Sequence, residues 1–220
     1  MASPKAHFLH IGKTGGSAVI HALKPHRQSG KYKLVLHPHS TKLNDITVGE
    51  KVFFFLRDPI TRFVSGFNSR KRKGQPRYNR QWDPPEAQAF AHFDTANELA
   101  EALSDRDANR REEARQAMEG IQHVRDAVWK WFQDPHYFSS RINDVLFVGF
   151  QESLESDFRR LLIILELHGN IVLPTDPVVT HKTPAGFDQS ISDLSKRNLR
   201  RHYATDIEFY EDMKGKFGVT

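Results

Sequence analysis

The chain has 220 residues, 38% of them hydrophobic and 27% charged, with a net charge of +5 at pH 7 and no cysteine. That length suits one sizeable α/β domain with its own core, the composition is that of a soluble globular protein, and disulfides and thiol catalysis are excluded. No apolar run approaches the roughly 20 residues that a membrane helix needs, and a pI near 9.4 favours anionic partners without choosing among nucleotide, acidic glycan and nucleic acid. The start, Met-Ala-Ser-Pro-Lys-Ala-His, has no signal-peptide core, and the cytoplasm is the expected compartment because nothing in the sequence would export the chain.

An apolar run predicts a first strand over about residues 6–12. It opens into Gly12-Lys13-Thr14-Gly15-Gly16-Ser17, and a helix over roughly 17–24 follows, ended by Lys24-Pro25. Strand, glycine-rich turn and helix in that order bring unpaired backbone N–H groups to the positive end of a helix dipole, a ready site for a phosphate or sulfate. A second strand is expected over 33–37, between Gly30 and Pro38. Residues 51–57, Lys-Val-Phe-Phe-Phe-Leu-Arg, read as a strand covered on both faces, because its apolar run is continuous rather than alternating. Asp58-Pro59 ends it, and a helix runs from Ile60 to Arg70 with the proline near its first turn.

Residues 71–85 are polar and rich in Arg, Gly and Pro, which predicts a loop. Residues 86–132 hold no strand-like run and read as two or three helices, with Thr95 and Ser104 as candidate N-caps. A fourth strand over 144–150 precedes a helix from about 153 to 167. A Pro-rich loop over 169–189 carries His181-Lys182-Thr183-Pro184, and the chain from about 192 to 214 is helical with a break near Ala204-Thr205. Strands alternating with helices predict a parallel sheet with helices on both faces, in one domain spanning residues 1–220. The stretch 86–132 then reads as a helical insertion over one end of the sheet, on the substrate side.

Gly12-Lys13-Thr14 has the look of a Walker A loop, but that pattern needs a glycine where His7 stands, and here the glycines follow the lysine. The loop is too short to wrap a triphosphate in the usual way, which argues against an ordinary ATPase or GTPase. A second piece, Arg57-Asp58-Pro59-Ile60-Thr61-Arg62-Phe63-Val64-Ser65-Gly66-Phe67, sets an arginine at a strand end and a serine in the helix that follows. A guanidinium offers paired donors to a phosphate, so two anion sites at strand ends suit a nucleotide with phosphates at both ends.

Residues 8–19 and 52–70 resemble the two cofactor motifs of sulfotransferases that use 3′-phosphoadenosine 5′-phosphosulfate (PAPS). The wording Ile-Gly-Lys-Thr-Gly-Gly-Ser and Leu-Arg-Asp-Pro-Ile-Thr-Arg-Phe-Val-Ser-Gly-Phe is similar to the carbohydrate branch, the heparan-sulfate 2-O-sulfotransferases of sulfotransferase family 2. Val145 to Glu152 and Leu199 to Tyr210 follow the family's later pattern, while 75–130 is poorly covered. The resemblance implies a P-loop-like three-layer α/β fold, PAPS as donor, no metal, and a hydroxyl acceptor, most naturally a carbohydrate rather than a nucleic acid. It implies that Lys13, Thr14, Gly15, Gly16 and Ser17 hold the 5′-phosphosulfate, that Arg57 and Ser65 hold the 3′-phosphate, and that Lys182 lies near the nucleotide.

Sulfuryl transfer needs an in-line acceptor, a base for its proton and positive charge at the leaving oxygen. Lys13 fits the last role. The base is sought in His37-Pro38-His39, after the second strand, because a neutral imidazole accepts a proton near neutral pH. The resembling branch has a His-x-His pair that serves this step, and His37 and His39 match its spacing. His39 is preferred because it lies further from the strand, and His37 is expected to be a strand-end residue with a structural hydrogen bond. No third ligand at a recognisable spacing supports a metal. The basic run Arg70-Lys71-Arg72-Lys73, with Arg77 and Arg80, suits either guidance of an anion or a solvated loop. Trp129, Trp131 and Phe132 suit sugar stacking or core, with core expected. A small alcohol as acceptor, a P-loop nucleotide kinase and a non-catalytic nucleotide binder stand as alternatives. The sequence is silent on oligomeric state.

Overall fold

The computed structural model describes residues 3–218. Four strands, β1 (Lys5–Phe8), β2 (Lys33–Leu36), β3 (Lys51–Leu56) and β4 (Val145–Phe150), form one parallel sheet in the order β2-β1-β3-β4. The helices in chain order are α1 (Gly16–Leu23), α2 (Pro59–Lys71), α3 (Pro84–His92), α4 (Ala96–Ala102), α5 (Ala108–Gly120), α6 (Trp129–Phe132), α7 (Pro135–Ser140), α8 (Leu154–Ile164), α9 (Asp193–His202) and α10 (Ala204–Phe217). They fall into two compact units, one of residues 3–57, 128–180 and 209–218, the other of 58–127 and 181–208.

In the first unit the consecutive aromatics of β3 do what a doubly covered strand requires. Phe53 and Phe55 join Phe8, Val19 and Leu23 of β1 and α1 and Phe158 and Leu161 of α8 on one face. Phe54 and Leu56 join Trp131, Phe132, Phe138 and Phe209 on the other. Side chains two apart share a face, so a run with no polar positions needs helices on both sides; burying each ring contributes about 1.5–3 kcal/mol. Trp131 and Phe132 are therefore core, which removes them as sugar platforms. β1 is shorter than expected, because the Ile11 N–H turns back onto the Leu9 carbonyl and takes the chain out of the ladder.

The second unit is helical, packed around Phe63, Phe67, Phe90, Phe93, Leu99, Met118 and Leu199. Local capping sets its elements. Asp58 accepts from the Thr61 N–H with Pro59 in the first turn of α2, and Thr95 accepts from Glu98 to start α4. The cap of α5 is Asp107 rather than Ser104, whose hydroxyl instead accepts from the Asn198 side chain. The stretch expected to hold two or three helices holds four, α3 to α6, and α7 was not foreseen at all. The expected break near Ala204 falls at Tyr203, whose phenol donates to the Val124 carbonyl at 2.8 Å.

The basic run is partly structural. Arg70 is buried and forked onto Glu86, with Nε to Oε1 at 2.6 Å and Nη2 to Oε2 at 2.5 Å. Burial works against ionisation of Glu86, yet the Arg70 guanidinium and the Gln122 and Asp83 backbone N–H groups hold its carboxyl below the ordinary range. Among the described residues no helix is long and apolar enough to cross a membrane.

Candidate active site

Because β2, β1 and β3 are adjacent and parallel, the segments leaving their carboxyl ends emerge at one edge of the sheet. Those segments are His37–His39 after β2, the glycine-rich loop after β1, and Arg57 after β3. This is where open parallel sheets bind ligands.

The loop is built by two left-handed residues, Lys13 at φ 69° and Gly15 at φ 85°. A lysine in that region is strained by roughly 1–3 kcal/mol, so the turn is held by its surroundings. The buried Thr14 hydroxyl donates to the Ile11 carbonyl at 3.0 Å, and the Gly15 carbonyl accepts from Ala18 N–H at 3.0 Å to open α1. Gly16 and Ser17 lie in the first turn of α1, where backbone N–H groups have no intrahelical acceptor. A side chain at Gly16 would overlap the His10 ring. The glycine is required by that close approach, which is also what joins the loop to the histidines.

His10 is buried and its carbonyl accepts a hydrogen bond from His39 Nδ1 at 2.9 Å, with the two rings in contact at a centroid distance of 3.6 Å and tilted by 31°. Trp131 Nε1 donates to the His39 carbonyl at 2.9 Å, so the backbone of His39 is pinned as well. A carbonyl can only accept, which puts the proton of neutral His39 on Nδ1 and the lone pair on Nε2. His39 is exposed, and that tautomer is the one a general base needs.

A second pair lies beside it. His7 Nδ1 and His37 Nε2 are 2.8 Å apart, with nearly parallel rings. A Glu50 carboxylate oxygen stands 2.9 Å from His7 Nε2, off the line of the ring N–H, and the other accepts from Lys5 Nζ at 2.8 Å. Burial lowers the pKa of His7; the Glu50 carboxylate opposes the shift and Lys5 adds to it. Burial and the neighbouring His7 likewise lower His37, against Asp45. With a carboxylate at Nε2, neutral His7 keeps its proton there and accepts at Nδ1 from His37 Nε2–H. The His37 ring thus makes the structural bond expected of it.

Ser65 lies half-buried on the second turn of α2, and Lys182 is exposed in the turn after His181; both belong to the second unit. Sequence reasoning missed His7, His10 and Glu50. The available signal was the run His7-Phe8-Leu9-His10-Ile11, since a polar ring inside an apolar strand segment costs free energy unless it finds a partner. Among the described residues no group of three or more His, Asp or Glu side chains is placed to hold a metal.

The family model described as Sulfotransferase family matches residues 8–211, a span that takes in every site residue expected from the sequence. No curated protein matches the chain significantly. The match sets aside the nucleotide-kinase and non-catalytic readings. A loop whose glycines follow its lysine stands at the sheet edge where His37–His39 and Arg57 also emerge, and the match over most of the chain settles its class: the chain belongs to the sulfotransferase family and is an enzyme of sulfuryl transfer.

Proposed function

We propose that the protein moves a sulfuryl group from PAPS to a hydroxyl of a carbohydrate or glycoconjugate, with His39 as general base and Lys13 at the leaving oxygen. The observation that carries this reading is the bond from His39 Nδ1 to the His10 carbonyl, on a His10 ring packed against Gly16 of the anion loop. It ties the base to the donor-binding segment and fixes the reactive tautomer at once. The loop suits a 5′-phosphosulfate, because its left-handed residues and the start of α1 offer backbone donors to an anion. Lys13, Thr14, Gly15, Gly16 and Ser17 are assigned to that group. Arg57 and Ser65 are assigned to the 3′-phosphate, for which a guanidinium supplies paired donors, and Lys182 to the nucleotide.

Bound PAPS supplies an activated sulfuryl group and departs as adenosine 3′,5′-bisphosphate. His39 Nε2 takes the acceptor's proton as its oxygen bonds to sulfur. The Lys13 ammonium balances the negative charge that develops on the departing phosphate oxygen. The fixed ring needs no rotation before accepting the proton, which is what preorganisation contributes.

The carbohydrate acceptor is supported by the likeness of the Lys13–Ser17 and Arg57–Ser65 motifs to the carbohydrate branch. Incubation with PAPS and a panel of glycans and small alcohols, read by mass spectrometry, tests it. Sulfated glycan is the expected product; sulfate appearing only on small alcohols would overturn the acceptor class, and no sulfated product with any acceptor would overturn the whole reading.

A further inference from the structure

Arg72 closes α2 as its C-cap residue and is only 8% exposed. Nε, Nη1 and Nη2 are all covered from solvent, and among the described residues none has a hydrogen-bond partner. Arg70, two residues earlier and also buried, is forked onto Glu86. A guanidinium does not give up its proton at any ordinary pH, so Arg72 holds a full charge in a dry place without a counter-ion. Burial lowers its pKa, and among the described residues the Tyr78 phenol alone opposes this. A buried cation of this kind is costly unless something absent from the chain itself completes it.

Its surroundings are those of a site rather than of core. Gly74 sits at φ 84° with the Tyr78 ring lying on it, so that any side chain at 74 would overlap the ring. His181, left-handed at φ 57°, donates from Nε2 to the Gly74 carbonyl at 3.3 Å, and its ring lies 5.2 Å from that of Tyr78. Exposed Lys182 follows directly. The end of α2 and the Pro-rich loop thus meet around one unpaired positive charge, within the second unit.

We infer that Arg72 is the anchor of an oxyanion site built from the end of α2, the turn around Gly74 and Tyr78, and the His181–Lys182 turn. Its ligand is a phosphate, sulfate or carboxylate group, carried by the nucleotide or by an acidic acceptor. Tyr78, 40% exposed, is the side chain that swings aside to admit it. The inference extends the proposed function, whose substrates are both anionic, but its test does not depend on turnover.

Arg72→Met removes the charge and keeps an unbranched apolar stem of similar reach. In anion-free buffer this variant is expected to melt at or above the temperature of the wild type, since the site loses an unpartnered charge. Its affinity for one of two probes, adenosine 3′,5′-bisphosphate or a sulfated uronate-containing oligosaccharide, is expected to fall about tenfold or more. Loss confined to the bisphosphate makes the nucleotide the source of the oxyanion, and loss confined to the oligosaccharide makes it the acceptor. In the wild type the Arg72 Nε–H resonance is expected to shift as inorganic sulfate is titrated in. A variant that melts lower, two probes that bind it unchanged, or an Nε–H resonance indifferent to sulfate would each overturn the site, whatever the outcome for sulfuryl transfer.

Discussion

The pairs His7–His37 and His10–His39 are built from the same parts, one ring from the β1 segment and one from the segment leaving β2. In the first pair ring nitrogen meets ring nitrogen, with Glu50 and Lys5 beyond; burial makes both rings hard to protonate, and the Glu50 carboxylate opposes that shift in the buried His7. In the second pair the partner is a backbone carbonyl, which takes one proton, leaves the other nitrogen with its lone pair, and sets that ring at the surface. The difference lies in the acceptor. A ring bonded to a ring has its tautomer set by the network around both rings, whereas a ring bonded to a carbonyl must hold its proton on the bonded nitrogen.

The sharpest way to break this comparison is to remove each outer ring. His39→Ala is expected to lower kcat by about 10²–10⁴, with the rise in melting temperature on adding adenosine 3′,5′-bisphosphate retained. His37→Ala should cost much less activity and more stability. Equal losses of kcat from the two would remove the distinction.

Next comes the contact that joins the second pair to the loop. Gly16→Ala forces a methyl group into the His10 ring, an overpacking cost of roughly 1–3 kcal/mol. Transfer should fall together with bisphosphate binding, because loop and base shift as one. Normal kcat would show that His10 does not position His39. Lys13→Gly should separate strain from chemistry: the φ of 69° suits glycine, so stability should rise by about 1 kcal/mol while transfer is lost. A denaturant melt and a rate assay on the same preparation read both, and a destabilised variant would contradict the strain.

The smallest expected effect concerns the first pair. Both rings have folded-state pKa values below the ordinary 6.5. A depressed histidine contributes stability that is present above 6.5 and lost as the pH falls from there through the folded value. The melting temperature should therefore drop on acidification below 6.5. A His7→Gln, His37→Gln double variant should show a shallower drop, with His202, also depressed by burial, keeping part of it. An unchanged slope would place the titration elsewhere.

Much of this was legible in the sequence. The Phe53-Phe54-Phe55 run announced a doubly covered strand, and the loop-then-arginine order put Lys13 and Arg57 beyond the ends of neighbouring strands. Glycines positioned after Lys13 rather than before it separated the chain from ordinary P-loop enzymes. The circuit through His7, Glu50 and Lys5 was not legible, because parallel pairing brings residues far apart in the chain side by side and no spacing rule reports it. Arg70 and Arg72 show the same limit. Both belong to one basic run, yet Glu86 buries and neutralises the first while the second is buried unpaired. Charge patterning sees the run, and only packing tells the two apart.

The claim that His39 takes the acceptor's proton is tested most directly by chemical rescue of His39→Ala with free imidazole, measured as the initial rate of sulfated-oligosaccharide formation at saturating PAPS. The account predicts a rate that rises with imidazole concentration in His39→Ala and stays flat in His37→Ala. A His39→Ala enzyme that turns over at the wild-type rate, or one whose lost activity imidazole leaves unchanged, would contradict it.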